Sequence, residues 1–220
     1  MPSPFDQSPY QVRLEWGAEG LARLAPADVV IAVDVLRFST TVTELVEAGT
    51  EIALDGARIW SSNGADVAEA AVMTGAEVLL GGIRNASAVA SAVMSLQERR
   101  GDRTSVTVIA AGERAADGSL RFAVEDLLGA GAVICALIDL GIDHTSPEAV
   151  AAAESFRALR RGLRHLLSAS GSGRELAIGV ASTARMTDAG IRPATPEEAS
   201  EHDASGAVPH LRDGVFRAFV

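Results

Sequence analysis

The chain has 220 residues, 48% hydrophobic but only 4% aromatic, which predicts one aliphatic core of Ala, Val, Leu and Ile in a single α/β domain. With 19 basic residues against 29 acidic ones the net charge is -10, and no stretch gathers Arg into a stripe, so nucleic-acid binding is not expected. Every basic residue is Arg; the absence of Lys removes P-loop, Schiff-base and lysine-base chemistry together.

Residues 1–10 carry three prolines and no secretory pattern, and no apolar run approaches the ~20 residues of a membrane span, so a cytoplasmic protein is expected. Tyr10–Trp16 reads as a first strand and Gly17–Leu24 as a short helix. Asp28–Val33 is apolar on both faces, the mark of an interior strand covered by helices, and predicts a three-layer fold: a mostly parallel sheet with helices on both faces. Thr41 with Glu44 forms a potential capping box for a helix ending at Gly49. Glu51–Leu54 and Ala57–Trp60 flank Asp55-Gly56 and predict a hairpin with a type I′ turn. Asn63 is placed to cap a helix from Gly64 to about Thr74, followed by a strand at Glu77–Leu80 and a helix at Ala86–Arg99. Ser105–Ala110 is the next strand, with a Gly-bearing loop to Ser119 and a helix from about Phe122 through Leu137. Pro147–Ser168 predicts one long helix, Ser168–Gly173 a flexible joint, and Glu175–Asp203 short helices. Val208–Phe219 predicts a closing strand pair about Asp213-Gly214.

Three apolar runs end in short polar residues that open helices: Val29–Val33 into Asp34, Ala57–Trp60 into Ser61–Gly64, and Val78–Leu80 into the segment reaching Ser87. Bare N–H groups at such ends attract anions, so the three together predict a site for a highly charged acid. Asp34 stands at the rim where open parallel sheets bind ligands; it reads either as a metal ligand or acid–base group, or as a loop-fixing residue. Arg37 could clamp an oxyanion or pair with Asp34. Asn63 and Gly64 offer an amide and open backbone to an anion, or simply a helix cap, and Asn85 and Ser87 repeat that logic beside Arg84. Glu125 and Asp126, adjacent on a helix, diverge by about 100°, so one can ligate a metal while the other braces it, and hard oxygen ligands suit Mg²⁺. Glu113 and Arg114 are further candidates, with surface charge as the plainer reading. Cys135 lies in an apolar run and reads as a buried inert thiol, and the four His show no zinc spacing.

Asp34-Val-Leu-Arg37 with Ser39-Thr-Thr, then Asn63-Gly64, Asn85-Ala-Ser87, and Arg121-Phe-Ala-Val-Glu125-Asp126 with Ala130-Gly-Ala together resemble the 2-phosphosulfolactate phosphatases. A segment usual in that family before the Asn-Gly motif is missing, and only Ile52–Ser62 spans the gap. The resemblance implies a Mg²⁺-dependent hydrolase that converts (2R)-phospho-3-sulfolactate to 3-sulfolactate and phosphate. Carried over by residue, it implies catalytic roles for Asp34, Arg37, Glu125 and Asp126, metal binding by Asp34 and Glu125, and substrate binding by Asn63, Gly64, Asn85 and Ser87. The expected partner is a small anionic phosphoester, and paired aliphatic helices would allow a homo-oligomer. The alternative is a non-catalytic or substrate-shifted relative that binds a small organic anion.

Overall fold

The computed structural model describes residues 3–220, and its first half is laid down by apolar strands that each lead toward a helix. In chain order these are β1 (Val12–Trp16), α1 (Gly17–Arg23), β2 (Val29–Val33), α2 (Thr40–Glu47), β3 (Ile52–Ala53), α3 (Leu54–Arg58), α4 (Ser62–Met73), β4 (Glu77–Leu80) and α5 (Ala86–Arg100). Then come β5 (Val106–Ala110), a two-stranded ribbon of β6 (Glu113–Arg114) and β7 (Leu120–Arg121), and α6 (Val124–Asp139). The remainder is α7 (Pro147–Leu159), α8 (Leu163–Ala169), α9 (Gly171–Ile178), α10 (Ala181–Asp188), α11 (Pro196–Ala199), β8 (Pro209–Arg212) and β9 (Val215–Ala218). No described helix is long and apolar enough to cross a membrane.

The sheet is mixed and mostly parallel, in the order β1-β5-β2-β4-β8-β9-β3. The first four strands are mutually parallel and the last three join by antiparallel pairing. Ala32 lies opposite Leu80 and Val33 opposite Ala110, so β2, β4 and β5 finish level with one another and release the chain at one rim. Because side chains alternate along a strand, β2 feeds two clusters. Val29, Ile31 and Val33 pack with Val89, Leu128 and Phe156 of α5, α6 and α7, whereas Val30 and Ala32 join Leu21, Val42 and Val67 of α1, α2 and α4.

Several local expectations fail, the first because a distant pairing overrides local chemistry. Asp55-Gly56 does not turn a hairpin: Ile52–Ala53 pairs instead with Phe216 and Val215, the Leu54 N–H donates to the Gly214 carbonyl at 2.9 Å, and residues 54–58 are helical. The capping box at Thr41 does not form, since α2 continues directly from a wide π-like turn at Val35–Ser39 and the buried Thr41 hydroxyl has no partner among the described residues. Ser61, not Asn63, occupies the cap position of α4. The long helix expected at 147–168 is interrupted by a 3₁₀ turn at Arg160–Gly162. At the joint expected over 168–173, α8 ends and α9 starts, with Ser170 Oγ accepting from the Gly173 N–H at 3.1 Å. The turn at Asp213-Gly214 does form, with positive φ at both residues as type I′ geometry requires.

The seam between α6 and α7 is tight. A Cβ at Gly131 would stand 2.2 Å from the Ala152 carbonyl oxygen, a backbone atom that cannot swing aside. Gly131→Ala should therefore force the helices apart and lower stability by about 1–3 kcal/mol, as read by urea unfolding. An unchanged midpoint would show that the seam is looser than described.

Candidate functional site

The site begins where β2 stops. The five residues after Asp34 cannot continue as a regular helix because Leu36 is extended and Arg37 has φ 91°, a left-handed conformation unfavourable for a side chain with a Cβ. Hydrogen bonds hold the turn regardless: Ser39 Oγ accepts from the Asp34 N–H at 2.9 Å, the Ser39 N–H donates to the Asp34 carbonyl at 2.8 Å, and Thr40 Oγ1 donates to the Val35 carbonyl at 2.6 Å. Phe38, fully buried edge-on against Phe216, anchors it from below.

Around this turn the rim collects acidic groups. Asp34 Oδ2 accepts from Ser61 Oγ at 2.6 Å and from the Gly64 N–H at 3.1 Å. Glycine is needed at 64, because a Cβ there would meet Asp34 Oδ2 at 2.7 Å and the Phe38 ring at 2.6 Å. Asp126 bridges the ends of two strands, Oδ1 accepting from the Val35 N–H at 2.8 Å and Oδ2 from the Gly112 N–H at 2.9 Å. Asn63 Nδ2 donates to the Gly112 carbonyl at 3.2 Å and to Glu113 Oε1 at 3.0 Å. Glu125 is buried and lines a cavity of about 180 Å³ together with Glu113, Arg121 and Glu175. Arg37 donates through one terminal nitrogen to Ser182 Oγ at 2.7 Å and through the other to Glu175 Oε2 at 3.2 Å.

Electrostatics sets these groups apart from ordinary surface carboxylates. Burial is the main cause that lifts Asp34 to about 7, and Glu113 adds to it; Ser61, Arg37 and the Gly64 N–H pull the other way without prevailing. Asp126 is raised well above the usual carboxylate range, first by burial and then by the charges of Asp34 and Glu125, despite its two backbone donors. Carboxylates that repel one another in a buried site are in the condition a cation relieves. Among the described residues no three His, Cys, Asp or Glu side chains converge to enclose a metal. The donors fit an ion that takes one or two carboxylates and completes its shell with water and substrate oxygens. Asp126, with both oxygens engaged by backbone N–H groups, braces the rim, while Glu125 faces the cavity.

The structure thus brings Asp34, Arg37, Asn63, Gly64, Glu125 and Asp126 to one rim. It does not bring Asn85 and Ser87 there as donors to an anion. Asn85 is 1% exposed and its amide donates to the Leu80 carbonyl at 3.2 Å and the Ala207 carbonyl at 3.0 Å. Ser87 gives both its N–H and its hydroxyl to Asp203, at 2.8 and 2.6 Å, so an internal carboxylate already occupies the start of α5. Four residues at the site lay outside the main sequence constellation or were read more plainly: Ser61, Glu113, Glu175 and Ser182. Ser61 and Glu113 adjoin the Asn63 and Gly112 signals, whereas nothing local marks Glu175 or Ser182, whose role comes only from the fold.

These features define an α/β protein with a buried acidic cluster, Arg37 beside it, at the carboxyl rim of the parallel strands. The model of the 2-phosphosulpholactate phosphatase family matches residues 55–192, more than half of the chain, and the chain belongs to that family. The matched span includes Asn63, Gly64, Glu125, Asp126, Glu175 and Ser182, while Asp34 and Arg37 precede it. No curated protein matches the chain.

An acid whose pKa is raised by folding keeps its proton after the unfolded chain has lost its own, so the native state loses ground as pH climbs from the unfolded value of 3.8 toward about 7. In metal-free buffer Asp34→Asn, which preserves the acceptor for Ser61 and Gly64, should stabilise the protein. The gain should grow between pH 5 and pH 8 by at least about 1.4 kcal/mol, the equivalent of one pKa unit. Chemical unfolding at both values checks this; an equal shift at the two would contradict the raised pKa.

Proposed function

We propose that the protein is a Mg²⁺-dependent phosphatase that hydrolyses (2R)-phospho-3-sulfolactate to 3-sulfolactate and inorganic phosphate. The observation that carries this reading is the meeting of a buried, mutually repelling carboxylate group with the incompletely paired Arg37 at one rim, in a chain of this family. Asp34 and Glu125 would hold the ion, which neutralises charge on the phosphoryl oxygens. Arg37 binds those oxygens in two-pronged fashion. Asn63 and the Gly64 N–H fix Glu113 and Asp34 in place, and Asp126 fixes the two strand ends. Arg121, the cation in the wall of the 180 Å³ cavity, faces the second acidic group of the substrate. Little covalent work falls to the protein in phosphoryl transfer, so positioning and electrostatic stabilisation by these groups supply the rate.

Purified protein given phosphosulfolactate and Mg²⁺ should release phosphate, and a chelator should stop the release until Mg²⁺ is restored. Arg37→Ala and Asp34→Asn should each lower kcat/KM by about 10²–10³, the loss expected for one stabilising group in a buried site. Phosphate release equal in wild type and Asp34→Asn would refute the catalytic assignment. A sulfur-free phosphoester turned over faster than phosphosulfolactate would redirect the substrate, and ligand-induced thermal stabilisation without turnover would mark a binding protein instead.

A further inference from the structure

Two anchors fasten the segment that covers Arg37, and little holds it between them. At one end a Cβ on Gly173 would stand 2.0 Å from the Leu167 carbonyl oxygen, so the start of α9 is pressed against the end of α8. At the other, Met186 of α10 is fully buried in the cluster formed with α1, α2 and α4. No residue over 174–185 is buried to that degree: Leu176 is partly packed against the core and Ile178 is 81% exposed. The chain bends midway at Gly179, where φ is 81° and a Cβ would meet nothing within 4 Å. Polar side chains tie the span to the rim, Glu175 and Ser182 on Arg37, and Arg185 Nε donating to the Ile59 carbonyl at 2.8 Å. Segments held in this way open at low free energy.

The same span closes the way to Arg37. The 180 Å³ cavity is walled by Glu113, Arg121 and Glu125 on one side and by Gly171, Ser172 and Glu175 on the other, and Arg37 does not line it. Glu175 stands between, facing the cavity and reaching the guanidinium with Oε2 at 3.2 Å. The span engages both terminal nitrogens of Arg37, whose side chain is only 10% exposed, while its buried Nε has no acceptor among the described residues. A guanidinium grips a phosphate by presenting two parallel N–H groups to two oxygens. Enclosed to this degree, the fork cannot take an anion from solvent until Glu175 and Ser182 withdraw.

We propose that residues 174–185 form a lid, latched on Arg37 by Glu175 and Ser182, that must lift at Gly179 before any anion reaches Arg37. This rests on the assignment of Arg37 to phosphate binding made above. Releasing the latch costs the same for every anion that enters, so the lid governs how tightly anions bind without choosing among them.

A reversible lock tests this. In the double variant Ile59→Cys, Arg185→Cys, a short bis-maleimide with a reducible disulfide in its linker fastens the lid to the chain just before Ser61, and the native Cys135 is buried away from the reagent. Calorimetric titration with inorganic phosphate should show binding in the unlinked variant, its loss once the linker is in place and its return when the linker is cut. Phosphosulfolactate turnover should follow the same course. Glu175→Gln, which undoes one side of the latch, should bind phosphate and sulfate more tightly by one common factor, about two- to fivefold, the worth of a half-exposed ion pair. By hydrogen exchange the amides of residues 174–185 should open faster than those of α5 and α6, at a rate that low urea leaves unchanged. Phosphate binding that needs Arg37 but persists in the linked protein, or lid amides as slow as those of α6, would overturn the lid alone. A wild type that binds no phosphate, or binds it equally after Arg37→Lys, would overturn both the lid and the phosphate site on which it stands.

Discussion

The Asp126 carboxylate is the tie on which the rim depends. One oxygen holds the N–H of Val35 as β2 ends, the other holds the N–H of Gly112 as β5 ends, and both contacts are buried. Two neighbouring strands are thereby closed by one side chain on the first turn of α6. A free backbone N–H in such a place would cost the desolvation of an unpaired polar group. The turn after β2, the loop that carries Glu113, and the start of α6 are consequently fixed relative to one another. The Glu113 loop and the start of α6 supply one wall of the cavity, and α9 supplies the other through Gly171, Ser172 and Glu175.

The same tie sets the electrostatics. Holding Asp126 at the rim places it within reach of the charges of Asp34 and Glu125, and burial then pushes both aspartates toward their protonated forms. Local order is therefore maintained against repulsion and against the left-handed Arg37. Strain of this kind persists only where surrounding contacts over-determine the conformation, here the Ser39 and Thr40 hydroxyls and the buried Phe38 ring. Residues that weaken the native state and serve no packing purpose mark the places where a protein departs from its stability optimum for function.

Much of the frame was legible from local pattern. The apolar run Val29–Val33, the Asn-to-Arg span that became α5, and the closing hairpin at Asp213-Gly214 each carry a strong short-range signal, and each forms where expected. Three of the failures share one cause. Asp55-Gly56 has the composition of a hairpin turn, but the preceding Ile52–Ala53 found a better partner in β9, more than 150 residues away. Asn63 has the character of a cap, yet its amide reaches across to Gly112 and Glu113. Asn85 and Ser87 repeat the pattern of an anion site, yet the C-terminal segment arrives first and supplies Ala207 and Asp203 as partners.

By itself the sequence determined the α/β class, the aliphatic core, the acidic and lysine-free chemistry, and the candidacy of Asp34, Arg37, Glu125 and Asp126. These follow from residue type and short spacing, which act along the chain. Tertiary structure alone decided which polar ends converge and which are closed off, which of the adjacent acids braces the strands, and that Glu175 and Ser182 cover the Arg37 guanidinium. Those outcomes depend on pairings between residues 14 to 145 positions apart, and a hydrogen bond across such a separation leaves no periodicity or composition for a local reading to detect.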